Sequence, residues 1–246
     1  MIRVRGLSHR FGDRVVLSEI DVDVSAGETV AIMGSSGGGK TTLLRCMAGL
    51  LRPTSGTVEL FDVNLYSASS SERAQVRKRL GVVFQGSALF DYLNVHDNVA
   101  FGAERHLKLT RKALSEMVAE KLGLVGLEGT ERLYPSELSG GMKKRVGLAR
   151  ALAMNPEVVF YDEPTSGLDP VTAYAIDALI REVSETTNVT SIVVTHDVSA
   201  VMRVADRVLF LHDGRIAADL PPERFRNSKD PAIAEIVEKS QAESIA

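Results

Sequence analysis

Apolar and polar residues alternate near the start of the chain. Ile20, Val22 and Val24 fall on one side of an extended segment and Asp21 and Asp23 on the other, the period of a half-buried strand. A second stretch of this kind, Thr57–Phe61, follows the turn residues Pro53 and Ser55-Gly56. Together they predict an antiparallel layer at one edge of a domain. Four other runs, Thr29–Met33, Val82–Phe84, Val158–Tyr161 and Ile192–Val194, are almost wholly apolar, as strands buried on both faces of a parallel sheet are. Three of them lead into Gly34, Asp162-Glu163 and Thr195-His196. Ligands of open α/β sheets lie beyond the carboxyl ends of the strands, so chemistry is expected there.

Between Gln85 and Pro156 the period is helical, without a clear strand. Thr110 is placed to cap a helix running to about Leu122, with Gly123 and Gly126 ending it. Ser139 caps another, whose Met142, Val146, Ala149 and Ala153 recur at helical spacing. Asp169-Pro170 opens a third, with Ala173, Ile176, Ile180 and Val183 as its apolar stripe. An all-helical insert of about 70 residues therefore interrupts a parallel-sheet core. There is no internal repeat; Ser67–Ser71 reads as a polar loop, and Lys229–Ala246 as a polar, frayed tail of weak helical character.

A length of 246 residues suits one sizeable α/β domain. The formal net charge of −3 gives no global basic surface for nucleic acid or anionic lipid. The basic clusters Arg73–Arg79 and Lys143–Arg145 lie in predicted helices and read as solvated faces. Cys46 is the single cysteine, so an intrachain disulfide is excluded; its apolar helix makes it a small buried hydrophobe. No apolar run approaches the roughly 18–20 residues that span a bilayer, and Met1–Arg5 lacks the apolar core of a signal peptide. Any action on a membrane is expected to run through a partner.

Gly34-Ser35-Ser36-Gly37-Gly38-Gly39-Lys40-Thr41 follows a buried strand and opens a helix, the setting a phosphate-binding loop requires. Its glycines let successive N–H groups turn inward around phosphate oxygens, and the helix N-terminus adds a positive dipole end. Lys40 is placed to reach the β- and γ-phosphates, Thr41 to ligate Mg²⁺ and Thr42 to add a phosphate contact. A carboxylate ending a buried strand is costly without a cation. Asp162 therefore reads as the metal-side group and Glu163, one residue on, as the base that polarises the attacking water. Leu138-Ser139-Gly140-Gly141-Met142 starts a helix with two glycines that weaken it, which leaves the N-terminal amides open as a second anion site.

The phosphate loop, Gln85 after an apolar strand, Leu138-Ser-Gly-Gly141, Tyr161-Asp-Glu-Pro164, Ser166-Gly-Leu-Asp169 and Thr195-His196 occur in this order over about residues 2–220. The combination resembles ABC transporter nucleotide-binding domains. The resemblance implies an α/β P-loop NTPase fold: a RecA-like, mostly parallel sheet, an antiparallel edge layer, and a helical subdomain after the glutamine loop. The divisions are a core of about 1–85 and 157–225, the helical subdomain of about 86–156, and a tail of 226–246. It implies ATP hydrolysis with Mg²⁺ by two copies packed head to tail, Ser139–Gly141 of one contacting the γ-phosphate held by the other. Phe11 then matches the aromatic that stacks on adenine. Gln85 matches the residue linking Mg²⁺ and water to the membrane partner, Asp169 the cross-dimer loop, and His196 the γ-phosphate switch. Phe11 stands where tyrosine is common and Met142 where glutamine is usual.

The segment after Gln85, Gly86-Ser-Ala-Leu-Phe90-Asp-Tyr-Leu-Asn-Val95-His-Asp97-Asn98-Val, is similar to the ATP-binding subunits of MCE-type (Mla, toluene-tolerance) lipid transporters, which also share Met142. That likeness implies phospholipid movement between inner and outer membranes. It implies a place on the cytoplasmic face of the inner membrane and, as partners, an integral membrane permease, an MCE-domain protein and a STAS-domain protein, with no nucleic acid. The motor residues alone equally suit the ATPase of an amino-acid-type importer or of a division-type system.

Overall fold

The computed structural model describes the backbone of residues 1–243 and side chains to residue 240. The chain forms two sheets. One is antiparallel, of β1 (Ile2–Phe11), β2 (Arg14–Val24), β4 (Ser55–Leu60) and β5 (Val63–Asn64) in the order β2-β1-β4-β5. The other has the order β10-β9-β3-β8-β7-β6, with β3 (Thr29–Gly34), β6 (Leu80–Val83), β7 (Val158–Asp162), β8 (Thr190–Val194), β9 (Arg207–His212) and β10 (Arg215–Leu220). All its pairings are parallel except β9 with β10.

Successive residues of a strand face opposite ways, and the two faces of this second sheet feed different cores. Ile32, Phe160 and Ile192 join the antiparallel sheet and the helix α1 (Lys40–Met47), where Cys46 is fully buried. Val159, Tyr161 and Val193 face α3 (Val95–His106), α4 (Arg111–Leu124), α5 (Gly140–Leu152) and α6 (Pro170–Thr187). Of these helices, α3, α4 and α5 lie between β6 and β7 in sequence, the predicted all-helical stretch. The caps fall where the side chains dictate: Asn94, Thr110, Ser139 and Asp169 each accept an N–H from the first turn of the following helix.

The structure differs from the sequence reading in several features. Helix α2 (Ser70–Lys78), capped by Ser69, begins inside the stretch Ser67–Ser71 read as a polar loop. Helix α4 continues through Gly123 to Leu124, and the left-handed residue after it is Gly126 (φ 65°). The hairpin β9–β10 closes the sheet edge through Asp213-Gly214, both at positive φ, as a twist-matched two-residue turn requires. Lys144 is buried rather than solvated, and Arg79 pairs with Glu157 and stacks over Phe61.

A further difference is at the C-terminus. The expected frayed tail contains a helix, α9 (Pro231–Glu243), which follows the short α8 (Pro222–Arg226). Ile233 and Val237 of α9 are buried with Met33, Phe210, Phe225 and Val201 of α7 (Val198–Val204), a burial that outweighs the polarity of the outer face. The last three residues of the predicted tail lie outside the described residues.

Candidate nucleotide-binding site

Strand β3 delivers the loop. Gly34 pairs with Leu211 of β9, and a Cβ at Gly34 would lie 2.2 Å from the Leu211 carbonyl oxygen, so no larger residue fits. Gly39, the N-cap of α1, has φ 98°, and a Cβ there would come within 3.0–3.1 Å of Val16 and Leu17. The chain therefore turns tightly from strand to helix with its amides uncovered, as an anion site needs.

Lys40 curls back beneath this loop, where Nζ donates to the Gly34 and Ser35 carbonyls at 2.9 and 3.0 Å. Burial lowers its pKa, while Glu163 and Asp162 act against the shift. Beside it, Thr41 Oγ1 donates to Asp162 Oδ1 at 2.7 Å. Asp162 is 4% exposed, and its nearest cation is Arg45 at 3.9 Å. The result is a buried anionic oxygen next to a hydroxyl. Hard divalent cations take such donors.

Glu163 follows in the left-handed region (φ 49°), with its N–H donating to Val194 O at 3.0 Å. This non-glycine strain is sustained by the surrounding strands. It aims the carboxylate at His196, whose Nδ1 lies 2.8 Å from Oε2. A carboxylate only accepts, so Nδ1 carries the proton of this bond. The pairing of Asp162 with Val194 across β7 and β8 brings the two loops to the same height.

Gln85 Nε2 donates to Ser166 Oγ at 3.2 Å, and the Gln85 carbonyl accepts from Lys144 Nζ. Lys144 also donates to the Glu163 carbonyl at 3.5 Å, and burial lowers its pKa. This lysine ties the glutamine loop to the end of β7. Sequence reasoning missed it, although its helical spacing from Gly141 and Leu148, on the buried side of α5, was available as a signal.

Two adjoining clefts surround the loop. One, of about 440 Å³, is walled by Phe11, Arg14, Ser36–Thr42, Gln85 and Glu163; the other, of about 480 Å³, by Gly34, Ser35, Ser36, Lys40, Glu163, His196, His212 and α9. Phe11 presents an exposed ring held edge-on by His9 at 4.6 Å. The predicted residues of the phosphate loop, Asp162, Glu163, Gln85, His196 and Phe11 thus converge. Ser139, Gly140, Gly141 and Asp169 do not: among the described residues they line neither cleft. Ser139 Oγ caps α5 through Met142 N–H, and Asp169 caps α6. Hydrogen bonds from Thr172 foremost hold the Asp169 carboxyl below the usual range.

The family described as ABC transporter matches residues 17–166. Among similar proteins, the intermembrane phospholipid transport system ATP-binding protein MlaF of Haemophilus influenzae is 40% identical, over 96% of this chain and 90% of its own. MlaF of Escherichia coli is 39% identical, over 97% and 88%, and the probable ribonucleotide transport ATP-binding protein mkl of Mycobacterium leprae 37%, over 96% and 68%. Of solved structures, a dimeric ATP-binding cassette in a post-hydrolysis state with ADP and Pi matches with TM-score 0.83 and 29% identity, over 90% of this chain and 99% of that one. The cbiO1 subunit of the ABC transporter complex cbiONQ of Clostridium perfringens matches with TM-score 0.84 and 30% identity, over 99% and 97%. With the phosphate loop, the Asp162-Glu163 strand end and His196 assembled as described, the chain is an ATP-binding and ATP-hydrolysing member of the ABC transporter family.

Proposed function

We propose that this protein powers phospholipid transport between two membranes as the ATPase subunit of an MCE-type transporter. The observation that carries the cargo is the 39–40% identity to MlaF proteins across nearly the whole chain. Its place is then the cytoplasmic face of the inner membrane, held there by an integral permease. Among the described residues no helix is long and apolar enough to cross a bilayer. An MCE-domain protein and a STAS-domain protein complete the assembly. The permease meets the loop after Gln85, which buried Asn98 braces by bonding to Phe90, Leu93 and Asn94 while leaving Tyr92 74% exposed. In this reading the core spans about 1–85 and 157–225, the helical subdomain about 86–156, and helix α9 beyond them belongs to the folded body.

In the proposed site the amides of Gly34–Gly39 and the Lys40 ammonium bind the phosphates, with Thr42 adding a contact, and Phe11 stacks on adenine. Mg²⁺ suits such a site because it is commonly bound by one or two protein ligands together with substrate phosphates. Thr41, Asp162 and Gln85 would hold Mg²⁺, which supplies charge neutralisation on the phosphates. Glu163 orients and deprotonates the attacking water, and His196 steadies the Glu163 carboxylate and the γ-phosphate. Ser139, Gly140, Gly141 and Asp169 lie away from their own loop, which supports a head-to-tail pair in which they complete the partner's site.

Mixing Lys40→Ala with Ser139→Arg subunits is expected to restore one working site per dimer; inactive, well-folded mixed dimers would refute shared sites. For the cargo, copurification with an integral permease and bound phospholipid is the expected result. A periplasmic solute-binding protein in place of lipid would overturn it.

A further inference from the structure

Helix α9 is fixed against the body of the protein from two directions. Ile233 and Val237 are buried against Phe210 and Phe225, and Ser240 Oγ accepts the Val198 N–H at 3.0 Å. This seat makes α9 one wall of the 480 Å³ cleft whose other side is Ser35, Lys40, Glu163 and His196. Two residues of that wall, Glu235 and Lys239, carry charge into the cleft and are paired with each other one helical turn apart.

Lys239 and Lys40 both line this cleft, Lys40 buried beneath the loop and Lys239 with its side chain 70% exposed, and each is held by a local acceptor: the loop carbonyls for Lys40, the Glu235 carboxylate for Lys239. Exposed pairs at this spacing are weak. A multiply charged phosphate with three acceptor oxygens competes well for such a donor. The base end of the nucleotide is marked by Phe11, which lines the other cleft, whereas Ser36, Lys40 and Glu163 are common to both. The Phe11 cleft also holds Gly37–Thr42 and Gln85, so the terminal phosphate falls at the shared residues, and the α9 cleft opens on its far side from the base.

We propose that Lys239 is a second phosphate-binding cation, drawn from Glu235 to the terminal phosphate of a nucleoside triphosphate, so that α9 biases the site toward ATP over ADP. The inference rests on the nucleotide-site reading above. Equilibrium binding of AMP-PNP and ADP to the full chain tests it. Lys239→Gln is expected to weaken AMP-PNP about five- to tenfold and ADP less than about twofold, the difference being one partly solvated charge-assisted contact. Lys239→Arg should retain the parent preference, and Glu235→Gln should tighten AMP-PNP by releasing the lysine. Equal effects of Lys239→Gln on both nucleotides, or none, with the thermal melt unchanged, would overturn the inference. Lys40→Ala separates the two levels. If it abolishes AMP-PNP binding while Lys239→Gln does nothing, only the role of Lys239 falls; if it leaves binding intact, the nucleotide site itself is misassigned.

Discussion

Gly140 and Gly141 occupy the first turn of α5, and their surroundings give them opposite tolerance for a methyl group. A Cβ on Gly140 would meet Leu168 Cδ2 at 3.5 Å, an ordinary contact, whereas one on Gly141 would lie 2.6 Å from Thr172 Cγ2. Neither glycine has a positive φ, so alanine is conformationally acceptable at both. Gly140→Ala should gain up to about 1 kcal/mol from helix propensity. Gly141→Ala has the same gain available, but Thr172 is β-branched and cannot swing aside without leaving its rotamer well. Overpacking of this kind costs about 1–3 kcal/mol, so the two variants should differ by about that amount.

Urea unfolding of the purified variants, compared at a common slope, reads the difference directly. Thr172→Ser removes Cγ2 and keeps the hydroxyl beside Asp169. In that background the Gly141→Ala penalty should largely vanish, giving a coupling energy of about 1–2 kcal/mol in the double-mutant cycle. Equal midpoints for the two glycine variants would refute the reasoning. So would a Gly141→Ala penalty that persists undiminished in the Thr172→Ser background. ATP turnover is a separate readout: in the proposed head-to-tail pair both substitutions would lower it by covering amides offered to the other copy's phosphate, whatever they do to stability.

Three further outcomes are expected. Glu163→Gln should bind ATP normally and hydrolyse it at least roughly a hundredfold more slowly; near-parent steady-state turnover would remove Glu163 as the base. Lys144→Met should cost about 1–2 kcal/mol in urea, because the Gln85 carbonyl loses a charged donor, and should slow turnover by loosening Gln85; parent-like values in both assays would contradict this. Burial raises the Asp177 carboxyl to about 6 against the opposing pull of Arg203, 2.6 Å away. The folded pKa then exceeds the unfolded value of roughly 4, and the associated stability is present below that value and lost as pH rises through about 6. Arg203→Met leaves the carboxylate unopposed, so its deficit should be larger at pH 7.5, up to about 3–5 kcal/mol, than at pH 5. Identical deficits at the two pH values would exclude this coupling.

The strands that carry the site were legible because burial on both faces leaves an unbroken apolar run, as in Val158–Tyr161, and the chemistry stands at the end of it. The caps were legible because Ser139, Asp169 and Thr110 act within one turn of themselves. Lys144 was hidden because its partners, the Gln85 and Glu163 carbonyls, are 59 and 19 residues away, and local charge clustering resembles a solvated face. Helix α9 was hidden for a related reason: Ile233 and Val237 are a sparse stripe whose value depends on Phe210 and Phe225 arriving from elsewhere. The β9–β10 hairpin was missed although its signal was present, since Val208–Leu211 is an apolar run followed by Asp213-Gly214. Ser139 with Gly140 and Gly141 could be recognised as an anion-binding helix start, but in the proposed head-to-tail pair the phosphate it would address is held by the other copy, which one chain's sequence does not display.

Cys46 gives the protein a practical property. Its side chain is fully buried in α1, and burial pushes the thiol up to about 12, so at neutral pH the reactive thiolate is scarce. Maleimide and other thiol probes will pass it by while the fold is intact. A cysteine introduced at an exposed position such as Tyr92 or Tyr174 would therefore be the sole labelled site without first deleting the native one. Fluorophores or spin labels could then follow docking and closure in an otherwise unaltered protein, and sudden labelling at Cys46 would itself report that α1 had come loose.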